Sequence, residues 1–234
     1  MNKIKKYLDL VEDKNALLQY LQRYMTEDRS IRFQEVLKYR TRHFTVAVED
    51  VFKERNASAI VRTADCFGIQ DVHIIENQNE YLISENISKG AEKWVNVSIY
   101  DDRTNNTGAC MAELRDKGYQ IIATSPHASG SDPDNFNISG KSAFFLGGEK
   151  EGLTDEVLEQ ADGYIKIPMY GFTESYNISV AGALMLYELT RRLHQSEINW
   201  RLTEQEKLEL QLDWTIKTIA SSENLIKKYL DNKP

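Results

Sequence analysis

Cysteine is scarce in this chain of 234 residues, which holds only Cys66 and Cys110. Two cysteines cannot build a disulfide framework, and the pattern suits a reducing cytosol. Long apolar runs are missing as well: none approaches the ~20 residues needed to span a bilayer. The opening Met1-Asn-Lys-Ile-Lys-Lys-Tyr7 carries lysines with no apolar run behind them, so a secretory signal is not expected. A basic excess is lacking too. Lys and Arg total 29 against 36 Asp and Glu, a net charge of −7. That balance counts against a protein that coats nucleic acid, because phosphate contacts draw on Lys and Arg. His43, His73, His127 and His194 show no ligand spacing and the cysteines are not a pair, so no metal is expected. There is no internal repeat, no low-complexity tract and no G-x-G-x-x-G dinucleotide signature.

The hydrophobic content of 41% is enough for a core, and the length fits one medium domain with appendages. Helical spacing runs over residues 4–24, and a second short helix over 30–40 takes Ser30 as its N-cap. Strands are predicted at 44–48, 72–75, 95–100, 119–123, 143–146 and 164–167. Helices are predicted at 56–67, 107–117, 155–161 and 178–194, the first two closed by Gly68 and Gly118. Alternation of this kind implies an α/β fold, a parallel sheet with helices on both faces, binding ligands at the carboxyl ends of its strands. A polar helical tail follows over 199–230, with Trp200, Trp214 and Tyr229 expected to pack rather than to stack on bases. The expected organisation is an N-terminal helical extension (1–40), a central domain (41–195) and a C-terminal helical tail (196–234). The segment from Ser125 to Lys141 is rich in Ser, Gly, Asp and Asn, long enough for a functional loop.

Three separated segments carry the chemistry, each starting at or just after a predicted strand end. The first is Asn56-Ala-Ser-Ala-Ile-Val-Arg62-Thr-Ala-Asp-Cys-Phe67-Gly68. Arg62 has Ser58, Ala59, Thr63 and Cys66 as helix neighbours. It is either a surface residue or a fixed guanidinium able to grip phosphate or carboxylate through paired hydrogen bonds. The second is Phe145-Leu-Gly147-Gly-Glu149-Lys-Glu-Gly152-Leu153-Thr154, which mimics a P-loop outline but has Leu153 where the phosphate-binding lysine belongs. It stands as a turn whose backbone can approach a ligand closely. The third, Ser175-Tyr176-Asn177-Ile-Ser179, opens an apolar, small-residue helix that Asn177 or Ser179 could cap. The run Ala181-Gly-Ala-Leu-Met-Leu fits close packing on a sheet or on a second subunit.

In this order the three segments resemble the SpoU/TrmH branch of the SPOUT superfamily, RNA ribose 2′-O-methyltransferases that use S-adenosylmethionine. The similarity runs from about residue 35 to residue 192. It implies a C-terminal trefoil knot, an exception to unknotted topology, and a homodimer formed through the knot with the active site near the interface. By the resemblance, Arg62 is the catalytic centre, with Asn56, Glu149, Ser175 and Asn177 as polar support. Thr124, Gly147, Ile167 and Tyr176 match the cofactor-binding positions, with Tyr176 standing where the family often has Leu. Arg40, Lys89 and Lys93 match positions that face RNA. Arg40 and the helices at both ends look most like the tRNA-specific branch. The implied activity is cytoplasmic 2′-O-methylation of the D-loop guanosine at position 18 of tRNA. Ribosomal RNA is the alternative substrate; a non-catalytic RNA-binding factor on the same fold and, more weakly, a small-molecule methyltransferase are the other options. A guanidinium stays protonated at neutral pH, so Arg62 is expected to act with a substrate phosphate or as its clamp.

Overall fold

The structure, a computed structural model, describes residues 2–51, 54–81, 84–126, 130–148 and 151–231. In chain order it runs α1 (Asn2–Leu8), α2 (Lys14–Gln22), α3 (Glu27–Leu37), β1 (Phe44–Glu49), α4 (Glu54–Cys66), β2 (Asp71–Ile75) and α5 (Glu85–Ser88). A 3₁₀ turn at Ala91–Lys93 leads to β3 (Asn96–Tyr100), α6 (Asn106–Asp116), β4 (Gln120–Thr124) and β5 (Ser142–Gly147). The chain ends with α7 (Asp155–Gln160), β6 (Gly163–Ile165), α8 (Ile178–His194), α9 (Glu204–Thr218) and α10 (Ser222–Asp231). It divides into two compact units. One is Thr41–Trp200; the other joins Met1–Arg40 to Arg201–Pro234.

The larger unit is the α/β fold that strand–helix alternation predicts. Six parallel strands lie in the order β3-β2-β1-β5-β4-β6. The chain lays β1, β2 and β3 outward, then crosses to the other side to add β4, β5 and β6. The winding reverses between β1 and β5, and such a reversal opens a crevice at the strands' carboxyl ends. Both faces are covered, as parallel sheets require. Phe44, Val46 and Val48 of β1 pack in one cluster with Ile60 and Val61 of α4 and Met185, Leu186 and Leu189 of α8. Ala47 faces the other cluster, with Met111 and Leu114 of α6 and Val157 of α7. Gly68 and Gly118 adopt the left-handed φ values of 76° and 81° just past α4 and α6, as their places in the sequence demand. Among the described residues no helix is long and apolar enough to cross a membrane.

The smaller unit gathers both chain ends around one core, which includes Leu17 and Leu21 of α2, Leu212 and Ile216 of α9, and Ile226 of α10. Periodicity over 4–24 suggested one helix. The chain instead breaks after α1 and restarts at Asp13, whose carboxylate accepts the Ala16 N–H at 3.0 Å. Ser30 is not a cap: it lies inside α3, which Thr26 opens, with Glu27 and Asp28 in the first turn where the helix dipole favours acids. The tail over 199–230 is two helices, the first opened by a full capping box of Thr203 and Glu206. Arg40 departs most from expectation. It is 2% exposed, and its guanidinium carbon stands 5.3 Å from the ring centroid of Trp214, itself buried. A cation stacked on an indole in this way is a packing element, so the exposed guanidinium expected at position 40 is not there.

Candidate active site

A cavity of about 650 Å³, within the usual range for small-molecule sites of roughly 300–1,000 Å³, opens at the carboxyl ends of β4, β5 and β6. Thr124 and Ser125 border it from the end of β4, Gly147 and Gly148 from the end of β5, and Lys166 and Ile167 from the exit of β6. Ser175, Tyr176 and Asn177, leading into α8, complete the wall. Thr124, Gly147, Ile167 and Tyr176, the four residues expected at a cofactor, therefore share one cavity with Ser175 and Asn177. The strand ends that border it are held in place by sequence-distant contacts. The Thr124 hydroxyl donates to the Phe145 carbonyl at 2.6 Å, tying β4 to β5. The Ser131 N–H donates to the Tyr164 carbonyl at 3.1 Å, and Ser131 in turn receives the Lys166 N–H at 3.1 Å. The Tyr176 hydroxyl donates to the Pro168 carbonyl at 3.3 Å.

Gly147 is there because nothing larger fits. A Cβ on it would stand 2.2 Å from the Gly152 carbonyl carbon and from the Leu153 nitrogen. The turn after β5 thus folds back on its own start, pinned by the Gly152 N–H donating to the Gly148 carbonyl at 3.0 Å. Glu149 lies outside the described residues. Among the described residues, Glu151 and Glu174 give the cavity two carboxylates, and Lys166 gives it one ammonium.

Sequence reading missed the polar group beneath that turn. Glu49, the last residue of β1, is fully buried, and in the parallel ladder it stands opposite Gly147. Its carboxylate accepts from the Thr107 hydroxyl at 2.6 Å, the Thr154 hydroxyl at 2.9 Å and the Thr154 N–H at 2.9 Å. No local spacing connects residues 49, 107 and 154. The one available signal was an acid closing a largely apolar strand.

The first and third segments meet at α4 and α8. Asn177 caps α8: its Oδ1 accepts the Ser179 N–H at 3.0 Å and the Ser179 hydroxyl at 2.6 Å. Its Nδ2 donates to Asn56 Oδ1 at 3.3 Å, and Asn56 is buried. Ser175 and Asn177 thus border the cavity, and Asn56, which does not line it, is joined to it through Asn177. Arg62 lies elsewhere. It is exposed on α4, its Nη1 donating to the Ile87 carbonyl at 3.4 Å, the long limit for such a bond. It is not among the cavity's lining residues. Lys89 and Lys93, both exposed, belong to the α5–3₁₀ segment beside Arg62. Ser84 anchors that segment to α4, its N–H donating to the Ser58 hydroxyl at 3.0 Å. A basic surface therefore flanks α4 outside the cavity. Among the described residues no cluster of three or more His, Cys, Asp or Glu is placed to hold a metal ion.

Fold and site together define a doubly wound α/β domain with a pocket at the carboxyl ends of its strands. Residues 43–187 match the model of the SpoU rRNA Methylase family, and the chain belongs to that family. Over 171 residues it is 41% identical to the tRNA (guanosine(18)-2′-O)-methyltransferase of Borreliella burgdorferi, covering 72% of this chain and 77% of that one. Over 134 residues it is 37% identical to the Escherichia coli protein of the same name, an alignment that spans only 57% of each chain. Among solved structures, the Aquifex aeolicus TrmH/SpoU tRNA modifying enzyme superposes with a TM-score of 0.73 at 30% identity, covering 83% of this chain and 98% of that one.

Proposed function

We propose that this protein methylates a ribose 2′-OH in RNA, with S-adenosylmethionine as methyl donor and the D-loop guanosine at position 18 of tRNA as target. The observation that carries it is the single cavity bordered by Thr124, Gly147, Ile167, Tyr176, Ser175 and Asn177 in a chain of this family. The cavity suits the cofactor chemically. S-adenosylmethionine supplies an electrophilic methyl on a sulfonium cation, and it also carries an ammonium and a carboxylate. Glu151 and Glu174 suit the cationic groups, and Lys166 suits the carboxylate. The strand-end backbone, with its fixed N–H and C=O groups, suits an adenine and a ribose.

Arg62 clamps the phosphate beside the target ribose and holds the 2′-oxygen in line, so that positioning supplies most of the rate. Asn56, Ser175 and Asn177, with Glu149, support that geometry, and Lys89 and Lys93 bind the RNA backbone. The C-terminal segment of the domain is threaded as a trefoil knot, a reading supported by the backbone pairing of Ser131 with Ile165. Two copies pair through α8, where Val180, Leu184 and Tyr187 leave an exposed apolar stripe at helical spacing and the Tyr187 ring lies 6.2 Å from that of Phe67. The second copy brings an Arg62 to each cavity. The place of action is the cytoplasm, in keeping with two free cysteines.

Incubation with labelled S-adenosylmethionine and separate pools of unmodified tRNA and ribosomal RNA, then mapping by resistance to alkaline cleavage, tests the proposal. Label at the D-loop guanosine is expected. Label only in ribosomal RNA replaces the substrate; label in neither, with the cofactor bound, overturns methyl transfer to RNA.

A further inference from the structure

We propose that Glu49 is a positioning residue for the cofactor pocket, an assignment that rests on the methyl-transfer function proposed above. A carboxylate buried at the end of a buried strand is costly unless its oxygens are filled with donors. Here three donors fill them: the Thr107 hydroxyl at the start of α6, and the hydroxyl and N–H of Thr154 at the start of α7. Thr154 is the N-cap of α7, yet its side chain makes no cap bond to its own helix because it is spent on Glu49. Thr107 is fixed in turn by Asn77, whose Nδ2 donates to the Thr107 hydroxyl at 2.9 Å.

The consequence is mechanical. The turn bordering the cavity starts at Gly147, paired in the ladder with Glu49, and ends at Thr154, bonded to the same Glu49. Residue 49 therefore sets both ends of the turn, Gly147 through the backbone ladder and Thr154 through the carboxylate. The next residue adds a stop. Asp50 holds a left-handed φ of 48°, stabilised by its Oδ1 accepting the N–H groups of Asn77, Gln78 and Asn79 at 2.8–3.1 Å. Its carbonyl lies where a Cβ on Gly148 would come within 2.8 Å. The backbone bordering the cavity at Gly147, Gly148 and Leu153 is thus moulded on Glu49 and Asp50, although neither residue lines the cavity.

Glu49→Gln preserves shape but turns an amide NH₂ towards groups that donate. The Thr hydroxyls can rotate; the Thr154 N–H cannot. Glu49→Gln should weaken S-adenosylmethionine about tenfold, ~1.4 kcal/mol, by raising its Kd and KM. The kcat at saturating cofactor and the KM for tRNA should stay near wild type. Thr154→Val, which keeps the N–H and loses the hydroxyl, should shift the same constants in the same direction by less. Thr45→Val is the stability control: Thr45 is buried at the far end of β1, its hydroxyl donating to the Asp71 carbonyl at 2.6 Å. Calorimetric titration of the three variants with S-adenosylmethionine, beside their melting temperatures, decides. Weakening in Glu49→Gln and Thr154→Val, absent from Thr45→Val at equal loss of melting temperature, supports the assignment. Unchanged affinity in both, or affinity that merely follows melting temperature across all three, overturns it. A wild-type protein that fails to bind the cofactor overturns the underlying function instead, and the assignment with it.

Discussion

The backfolded turn makes a sharp test at Gly147. A methyl there would sit 2.2 Å from two backbone atoms and 2.3 Å from a third, the Gly152 oxygen. Ordinary carbon contacts begin near 3.5 Å, so the overlap is about 1.3 Å. The obstructing atoms are main chain, so no rotamer change can relieve them, and residues 152–153 must move bodily. Overpacking costs roughly 1–3 kcal/mol, and a main-chain clash belongs at the top of that range. At roughly 2–4 °C per kcal/mol for a chain of this size, Gly147→Ala should melt about 6–12 °C below wild type. The displaced turn borders the cavity, so S-adenosylmethionine affinity should fall at least about tenfold. Gly140→Ala is the matched control, because its Cβ would meet only the tip of the Gln120 side chain at 3.4 Å. It should stay within about 0.5 kcal/mol of wild type. Thermal unfolding and calorimetric titration of both variants check this. A Gly147→Ala protein that melts with wild type and binds the cofactor normally would refute the backfolded turn.

Arg62→Lys should lose activity roughly a hundredfold or more while binding S-adenosylmethionine normally, since an ammonium cannot reproduce the planar fork. Single-turnover rates beside cofactor titration check it, and most activity retained at normal affinity would sink the catalytic role. Leu184→Glu puts a carboxylate in the exposed α8 stripe and should give a monomer by light scattering at micromolar concentration, whereas a wild-type monomer would contradict the dimer. His73 is buried, which lowers its pKa to about 4 against the force of nearby Asp71. Its neutral form is the native one, so this contribution to stability is complete above pH ~6.5. It is lost at up to ~1.4 kcal/mol per unit as pH falls towards about 4. Urea unfolding at pH 7 and pH 5 should show a steeper loss in wild type than in His73→Asn, where His43, also lowered by burial, still contributes.

What the chain discloses on its own depends on how local the cause is. The strands and the helix-ending glycines at 68 and 118 follow from periodicity and backbone freedom, both readable over a few residues. The Asn177 cap is likewise local, one side chain bonding two residues ahead. Pairing of the two chain ends is not: Leu17, Leu212 and Ile226 are each half of an apolar contact whose other half lies elsewhere. The fate of Arg40 turned on Trp214, far along the chain. The cap at Thr26 was within reach, because Glu27 and Asp28 mark a first turn better than Ser30 does. Glu49 was out of reach, because its three donors come from residues 107 and 154 and only the crossing of β1 beside β5 brings them together.

The same distinction between local and global bears on how a chain of net charge −7 would hold RNA. Charges are screened beyond about 8 Å at physiological salt, so a polyanion meets the face it touches rather than the sum over the molecule. Arg55 and Arg62 are exposed on α4, and Lys89 and Lys93 are exposed on the segment bonded to it through Ser84 and Ile87. The acids of α9, Glu204, Glu206 and Glu209, belong to the other unit of the chain and are partly spent on Lys207 and Lys14. Overall charge therefore sets solubility and long-range steering, while Arg62 and the three cations beside it set whether a phosphate can be held where the proposed chemistry needs it. Glu85 and Glu92 share that segment and thin its positive field. The RNA-binding proposed here accordingly calls for few phosphate contacts and a shallow salt dependence, with selectivity for the target ribose resting on the geometry around Arg62 rather than on bulk attraction.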